Sequence, residues 1–138
     1  MHRAKVLATI ASVVVLSSAI AQEQPRTTVI FKSTTTAKGQ PIVFPGANTE
    51  VTGSIGERPP GWVSEWHKHP FPRYHYVLEG VLTVEDEDGN RTNFPAGSLS
   101  IEQINTWHRA MNLGSTTAKW LFIDSCESGR TNVILRDK

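Results

Sequence analysis

Cysteine is almost missing from this chain. A single Cys126 stands in 138 residues, so no intrachain disulfide can form. Helix signals are nearly absent too, because no stretch keeps apolar residues at i, i+3, i+4 and i+7 over successive turns. There is no Gly-rich phosphate loop, no Gly-x-Ser-x-Gly elbow and no internal repeat. The formal net charge is +1, which removes the electrostatic reason to expect a nucleic acid or other polyanion as partner. The one run of like charge, Glu85-Asp86-Glu87-Asp88 before Gly89-Asn90, reads as the solvated tip of a hairpin. As an EF-hand calcium loop it fails on spacing, with Arg91 where the glycine belongs and Gly97 where the closing glutamate belongs.

The long apolar run lies at the start. His2, Arg3 and Lys5 are followed by uncharged Val6 to Ile20, and Ala19-Ile20-Ala21 offers small residues where a signal peptidase reads. The run is shorter than the roughly 20 residues a spanning helix needs. Residues 1–21 are therefore expected to be a signal peptide cleaved after Ala21. Residues 22–138 are expected to be one periplasmic or secreted domain that keeps no hold on the membrane. Without Arg3 and Lys5 that domain has 14 − 2 = 12 basic and 13 acidic residues, a net −1. Lacking disulfides, it must rest on its core, a metal or oligomerisation. Cys126 is expected to be buried, or else a reactive thiol.

What the mature chain does contain is short β-branched and aromatic runs cut by Gly, Pro, Asn or Asp. Strands are expected over Thr27–Lys32, Ile42–Phe44, Thr49–Ile55, Arg73–Leu78, Val81–Glu85, Arg91–Phe94, Leu99–Gln103, Trp107–Met111, Ala118–Asp124 and Thr131–Leu135, with Arg58 to Gly61 as a loop. This spacing predicts an all-β sandwich or barrel.

Three of the five histidines fall within Trp66 to Gly80, and all four that remain after residue 21 lie between 67 and 108. Residues two apart on a strand share a face, so His67 and His69 can converge on one cation while Lys68 points away. Arg73, His75 and Val77 share one parity on the next strand, and Tyr74, Tyr76 and Leu78 share the other. His108 supplies a further imidazole some forty residues on. Trp62, Trp66 and Trp107 stand near the histidines as candidate pocket walls; the same cluster would also suit a metal-free small-molecule pocket.

The pattern Gly61-x5-His67-x-His69-x3-Arg73-x6-Gly80, ending in "YVLEG", resembles the first motif of the cupins. Gly89-x5-Pro95-Ala96-Gly97 with Trp107-His108-Arg109-Ala110-Met111-Asn112 resembles the second. The closest likeness is to small, exported, single-domain type 2 cupins of the RmlC-like superfamily. The resemblance implies a jelly-roll-like β-barrel of antiparallel strands, often a homodimer, with a divalent transition metal (Fe, Mn, Zn, Ni or Cu) held by three histidines and a carboxylate. Carried over, His67, His69 and His108 would be ligands. The family's glutamate falls at Arg73, which has no lone pair to give a metal. Ile104-Asn105 stands where Pro-Gly is common. The missing carboxylate leaves several readings. His75 supplies a fourth ligand; Glu102 reaches in and completes the shell; or three histidines leave open positions. In a fourth, the metal is lost and Arg73 clamps an anion. Glu102 is also the candidate for acid/base work, since burial among apolar strands would raise its pKa. Two functions remain: a metal-dependent oxygenase, isomerase or lyase acting on a small molecule, or a cupin that binds or senses a small ligand.

Overall fold

The structure, a computed structural model, describes residues 26–137. The expected signal peptide lies outside them. The strands are β1 (Thr49–Arg58), β2 (His67–Lys68), β3 (Arg73–Glu79), β4 (Val81–Asp86), β5 (Arg91–Pro95), β6 (Leu99–Ile101), β7 (His108–Met111), β8 (Ala118–Glu127) and β9 (Ile134–Leu135). They form two antiparallel sheets, ordered β1-β8-β3-β6 and β5-β4-β7-β2-β9. This is the expected all-β architecture. No helix among the described residues is long and apolar enough to cross a membrane.

The inward face follows the period of two. Across the first sheet Gly56, Trp120 and Val77 lie opposite one another, then Ser54, Phe122, His75 and Ser100, then Asp124 and Arg73. Val77, Leu82, Ala118 and Trp120 are fully buried and form the core, with Trp62, Val84, Phe94, Ala110 and Phe122 packed against them. Leu82 comes from one sheet and Val77 and Trp120 from the other, so the core joins the two. Gly80 links β3 to β4 with φ of 74°, and a Cβ there would sit 3.0 Å from that of Ala118, so the turn needs glycine.

Three expectations need correction. Thr27–Lys32 and Ile42–Phe44 form no strand; only an isolated bridge joins Thr35 to Pro41. Val29, Ile30, Val43 and Phe44 are exposed, and β-branched residues with no neighbouring strand to pack on do not make one. β1 runs past Ile55 to Arg58, because β8 pairs with it to the end. The acidic run is not all solvated. Glu85 and Asp86 belong to β4 and are buried. Glu85 accepts from Arg91 and Arg109. Asp86 pairs with Lys38 and accepts from the backbone of Asp88 and Asn90, closing the β4–β5 turn. Cys126 is buried, as expected of an apolar cysteine.

The Lys38 ammonium, with help from Asn90, pulls the Asp86 carboxyl down to about 2 against burial that acts to raise it. A depressed carboxylate contributes stability above its unfolded pKa and loses it as the pH falls through the folded one. Between pH about 5 and about 2, the urea midpoint of the wild-type chain should fall further than that of Asp86→Asn. Parallel falls in the two proteins would show that Asp86 carries none of the acid sensitivity.

Candidate metal centre

His67 and His108 are direct cross-strand partners on β2 and β7. His69 follows just beyond β2, bridged to Ile104. That bridge needs a tight reversal, and Asn105 makes it with φ of 54° while donating its N–H to the His69 carbonyl. Asparagine tolerates this left-handed conformation better than most residues, which suits the position where glycine is common. Glu102 comes one residue after β6, its backbone N–H held by the Arg73 carbonyl.

The three imidazole centroids lie 4.6–5.0 Å apart. Each ring has its Nδ1 against a backbone carbonyl: His67 on Glu65 at 2.8 Å, His69 on Asn132 at 2.5 Å, His108 on Thr106 at 2.9 Å. A carbonyl can only accept, so each Nδ1 carries the proton and each ring turns Nε2 toward the centre. Glu102 Oε2 is 2.9 Å from His69 Nε2 and 3.0 Å from His108 Nε2. The His69 approach is not aligned as a hydrogen bond, so this buried nitrogen has no hydrogen-bonding partner. Ligand atoms of His67, His69, Glu102 and His108 all lie within 4.8 Å of one another, and all four residues are buried.

This donor set fits a transition metal. Three imidazole nitrogens, a carboxylate oxygen, fixed tautomers and an orphaned Nε2 are what such an ion requires. Imidazole and carboxylate serve Fe, Mn, Zn, Ni and Cu alike, so the residues do not choose among them.

The His67 and His108 rings differ in their electrostatics when no metal is bound. Burial pushes His67 down to about 4, against the Glu65 carbonyl's opposing pull, so the ring is neutral at neutral pH. Burial also acts to lower His108, but the hydrogen bond and charge of Glu102 prevail and raise it, favouring a second proton on Nε2 that a metal would have to displace. Glu102 departs from the raised pKa expected of it. Burial does act upward, yet His69, His108 and His75 hold the carboxyl well below its usual range. Glu102 is thus an ionised acceptor, poorly suited to carrying a proton.

The remaining candidates fall in different places. His75 stands behind Glu102, its Nδ1 3.4 Å from Oε1, outside the group of four. Arg73 forms a two-toothed ion pair with Asp124, at 2.7 and 2.8 Å. Trp62 lines a cavity of about 480 Å³ together with His67, Arg73, Glu102, Trp120 and Phe122. Trp66 lies under Arg109, and Trp107 lies against Lys68 and Arg136; neither lines that cavity.

Sequence reasoning missed the struts. Asp124 Oδ1 also accepts from Asn132 Nδ2, Asn132 Oδ1 holds the Phe71 N–H, and the Asn132 carbonyl orients His69. Arg73, in the position of the family's glutamate, therefore anchors the chain that aims a ligand. No local pattern marks Asp124 or Asn132.

Residues 55–124, just over half of the chain, match the family model described as the cupin domain, and the chain belongs to that family. No curated protein sequence matches it. Solved structures show the same fold. One is an uncharacterised protein with a double-stranded β-helix domain from Klebsiella pneumoniae subsp. pneumoniae MGH 78578 (20% identity, 83% of this chain and 100% of that one, TM-score 0.55). Another is the polyketide cyclase RemF from Streptomyces resistomycificus (19%, 67% and 66%, 0.54). A third is the oxalate decarboxylase of Lactobacillus farciminis in a formate complex (23%, 62% and 26%, 0.51). This chain thus spans just under two thirds of the cyclase and about a quarter of the decarboxylase. At these identities the likeness establishes the fold alone.

Removing Asp124 strands the half-buried Arg73 charge and frees Asn132. Asp124→Ala should lose about 3–5 kcal/mol in urea denaturation and weaken metal binding about 10- to 100-fold in a competitive chelator titration. Unchanged metal affinity in the folded variant would show that the strut does not aim His69.

Proposed function

We propose that this chain is an exported, metal-dependent cupin enzyme acting on a small molecule, with His67, His69, Glu102 and His108 as the metal's ligands. The observation that carries this reading is the three backbone carbonyls that fix three imidazoles with Nε2 inward around one buried carboxylate. Such orientation is superfluous for histidines that only line a pocket. When bound, the metal would supply Lewis-acid or redox chemistry at a substrate oxygen, the chemistry of an oxygenase, isomerase or lyase.

The chain's own residues would do the rest. His67 and Glu102 face the cavity, so a substrate can reach the centre from that side. Trp62, Trp120 and Phe122 would exclude water and hold an apolar body. Glu102 would balance the metal's charge rather than move a proton, given its depressed pKa. Solved cupin-fold neighbours that are enzymes, the cyclase and the decarboxylase, support the enzyme reading as analogy. Export rests on the basic start and the apolar run from Val6 to Ile20.

Elemental analysis for metal and intact-protein mass spectrometry, on protein purified without chelator from a periplasmic fraction, test both parts. The wild-type chain should carry about one equivalent of a first-row metal and an intact mass matching cleavage after Ala21. A folded His67→Ala/His69→Ala variant should carry none. No metal in either protein would end the metalloenzyme reading.

A further inference from the structure

The cavity beside the metal centre contains a second arginine. Ser54, Gly56 and Arg58 share the inward face of β1, and Arg58 is half-buried at the strand's end. Its guanidinium carbon is 4.6 Å from the Trp62 ring centroid and 5.9 Å from that of Trp120. Gly56 makes this placement feasible. A Cβ there would lie 2.8 and 2.9 Å from the two terminal nitrogens of Arg58, so a larger residue would make the guanidinium shift from this position.

Two donors at this end of the cavity are unused. Trp120 is fully buried, lines the cavity, and its Nε1–H has no partner; Arg58 Nε is likewise buried and unpaired. Leaving such donors unmet costs stability, so two of them on residues that border one hollow point to a ligand acceptor. Beyond the Trp62 and Trp120 rings, the charge of Arg58 has no anionic partner among the described residues. Arg73 is answered by Asp124, whereas among the described residues no carboxylate pairs with Arg58, which donates only to the Glu57 carbonyl. The cavity's own carboxylates are Glu65, exposed, and Glu102, held by the imidazoles.

We infer that Arg58 and the Trp120 indole N–H form the carboxylate-binding end of this cavity, and that the ligand is a small organic acid with a planar or short apolar body. The inference rests on the proposal that the same cavity opens on a metal centre. Arg58 would donate to the carboxylate through its fork while Trp62 and Phe122 flank the body. The other end would then lie toward His67 and Glu102. Arg58 takes the anion-binding role that the sequence offered to Arg73.

Benzoate and its neutral isostere benzamide are the probes, titrated by calorimetry into metal-free and zinc-loaded protein. Benzoate should bind the wild-type chain and bind Arg58→Gln and Gly56→Ala about 10- to 100-fold more weakly, while benzamide binds all three equally poorly. In the wild-type chain alone, benzoate should shift the Trp120 indole N–H resonance and leave those of Trp66 and Trp107 in place. Equal benzoate affinity in Arg58→Gln, no benzoate binding to the wild-type chain, or an unmoved Trp120 resonance would overturn the inference. Zinc stoichiometry is read in the same samples. Metal uptake without benzoate binding refutes this inference alone, and Arg58-dependent binding without metal uptake refutes only the metal reading.

Discussion

Everything at the centre of this protein depends on three hydrogen bonds from imidazole Nδ1 to backbone carbonyls. An imidazole has two nitrogens, and only the one without a proton can bind a metal. Fixing the proton on Nδ1 of His67, His69 and His108 commits each Nε2 to the space between them. The carbonyls come from Glu65, Asn132 and Thr106, all in irregular segments whose backbone is not consumed by sheet pairing. The short strands β2, β7 and β9 put those segments side by side. The sheets supply the positions, and the loops supply the acceptors.

The second constraint is charge. With Arg73 on β3 in place of a carboxylate, the anion must come from elsewhere, and Glu102 brings it from the end of β6. The two residues are neighbours, since the Glu102 N–H donates to the Arg73 carbonyl. Arg73 turns to Asp124, which balances its charge. His75, behind Glu102, adds a further polar contact at the second carboxylate oxygen. Glu102 thus supplies a carboxylate to the site from the strand that pairs with that of Arg73.

The histidines were legible because a period of two and a two-part motif are local patterns, and His67, His69 and His108 follow both. Glu102 was visible only as one alternative among several, since its strand ends before it and a β6 of three residues gives little periodicity. Its pKa direction was misjudged because burial can be guessed from apolar neighbours, whereas three imidazoles arriving from other strands cannot. The same reason explains Asp86, whose partner Lys38 is 48 residues away. Arg58 was hidden by Pro59-Pro60-Gly61, which reads as a loop and ends the strand too early. Thr27–Lys32 shows the opposite error, a sequence suited to a strand with no strand beside it.

The most direct test of the central claim is a long-range proton–nitrogen correlation spectrum of the histidine rings, recorded before and after zinc is added. The account predicts that His67, His69 and His108 keep a proton on Nδ1 and that their Nε2 signals shift on zinc binding, while the His75 signals show no metal coordination. Coordination through Nδ1 of any of the three, or a zinc-bound His75, would contradict it.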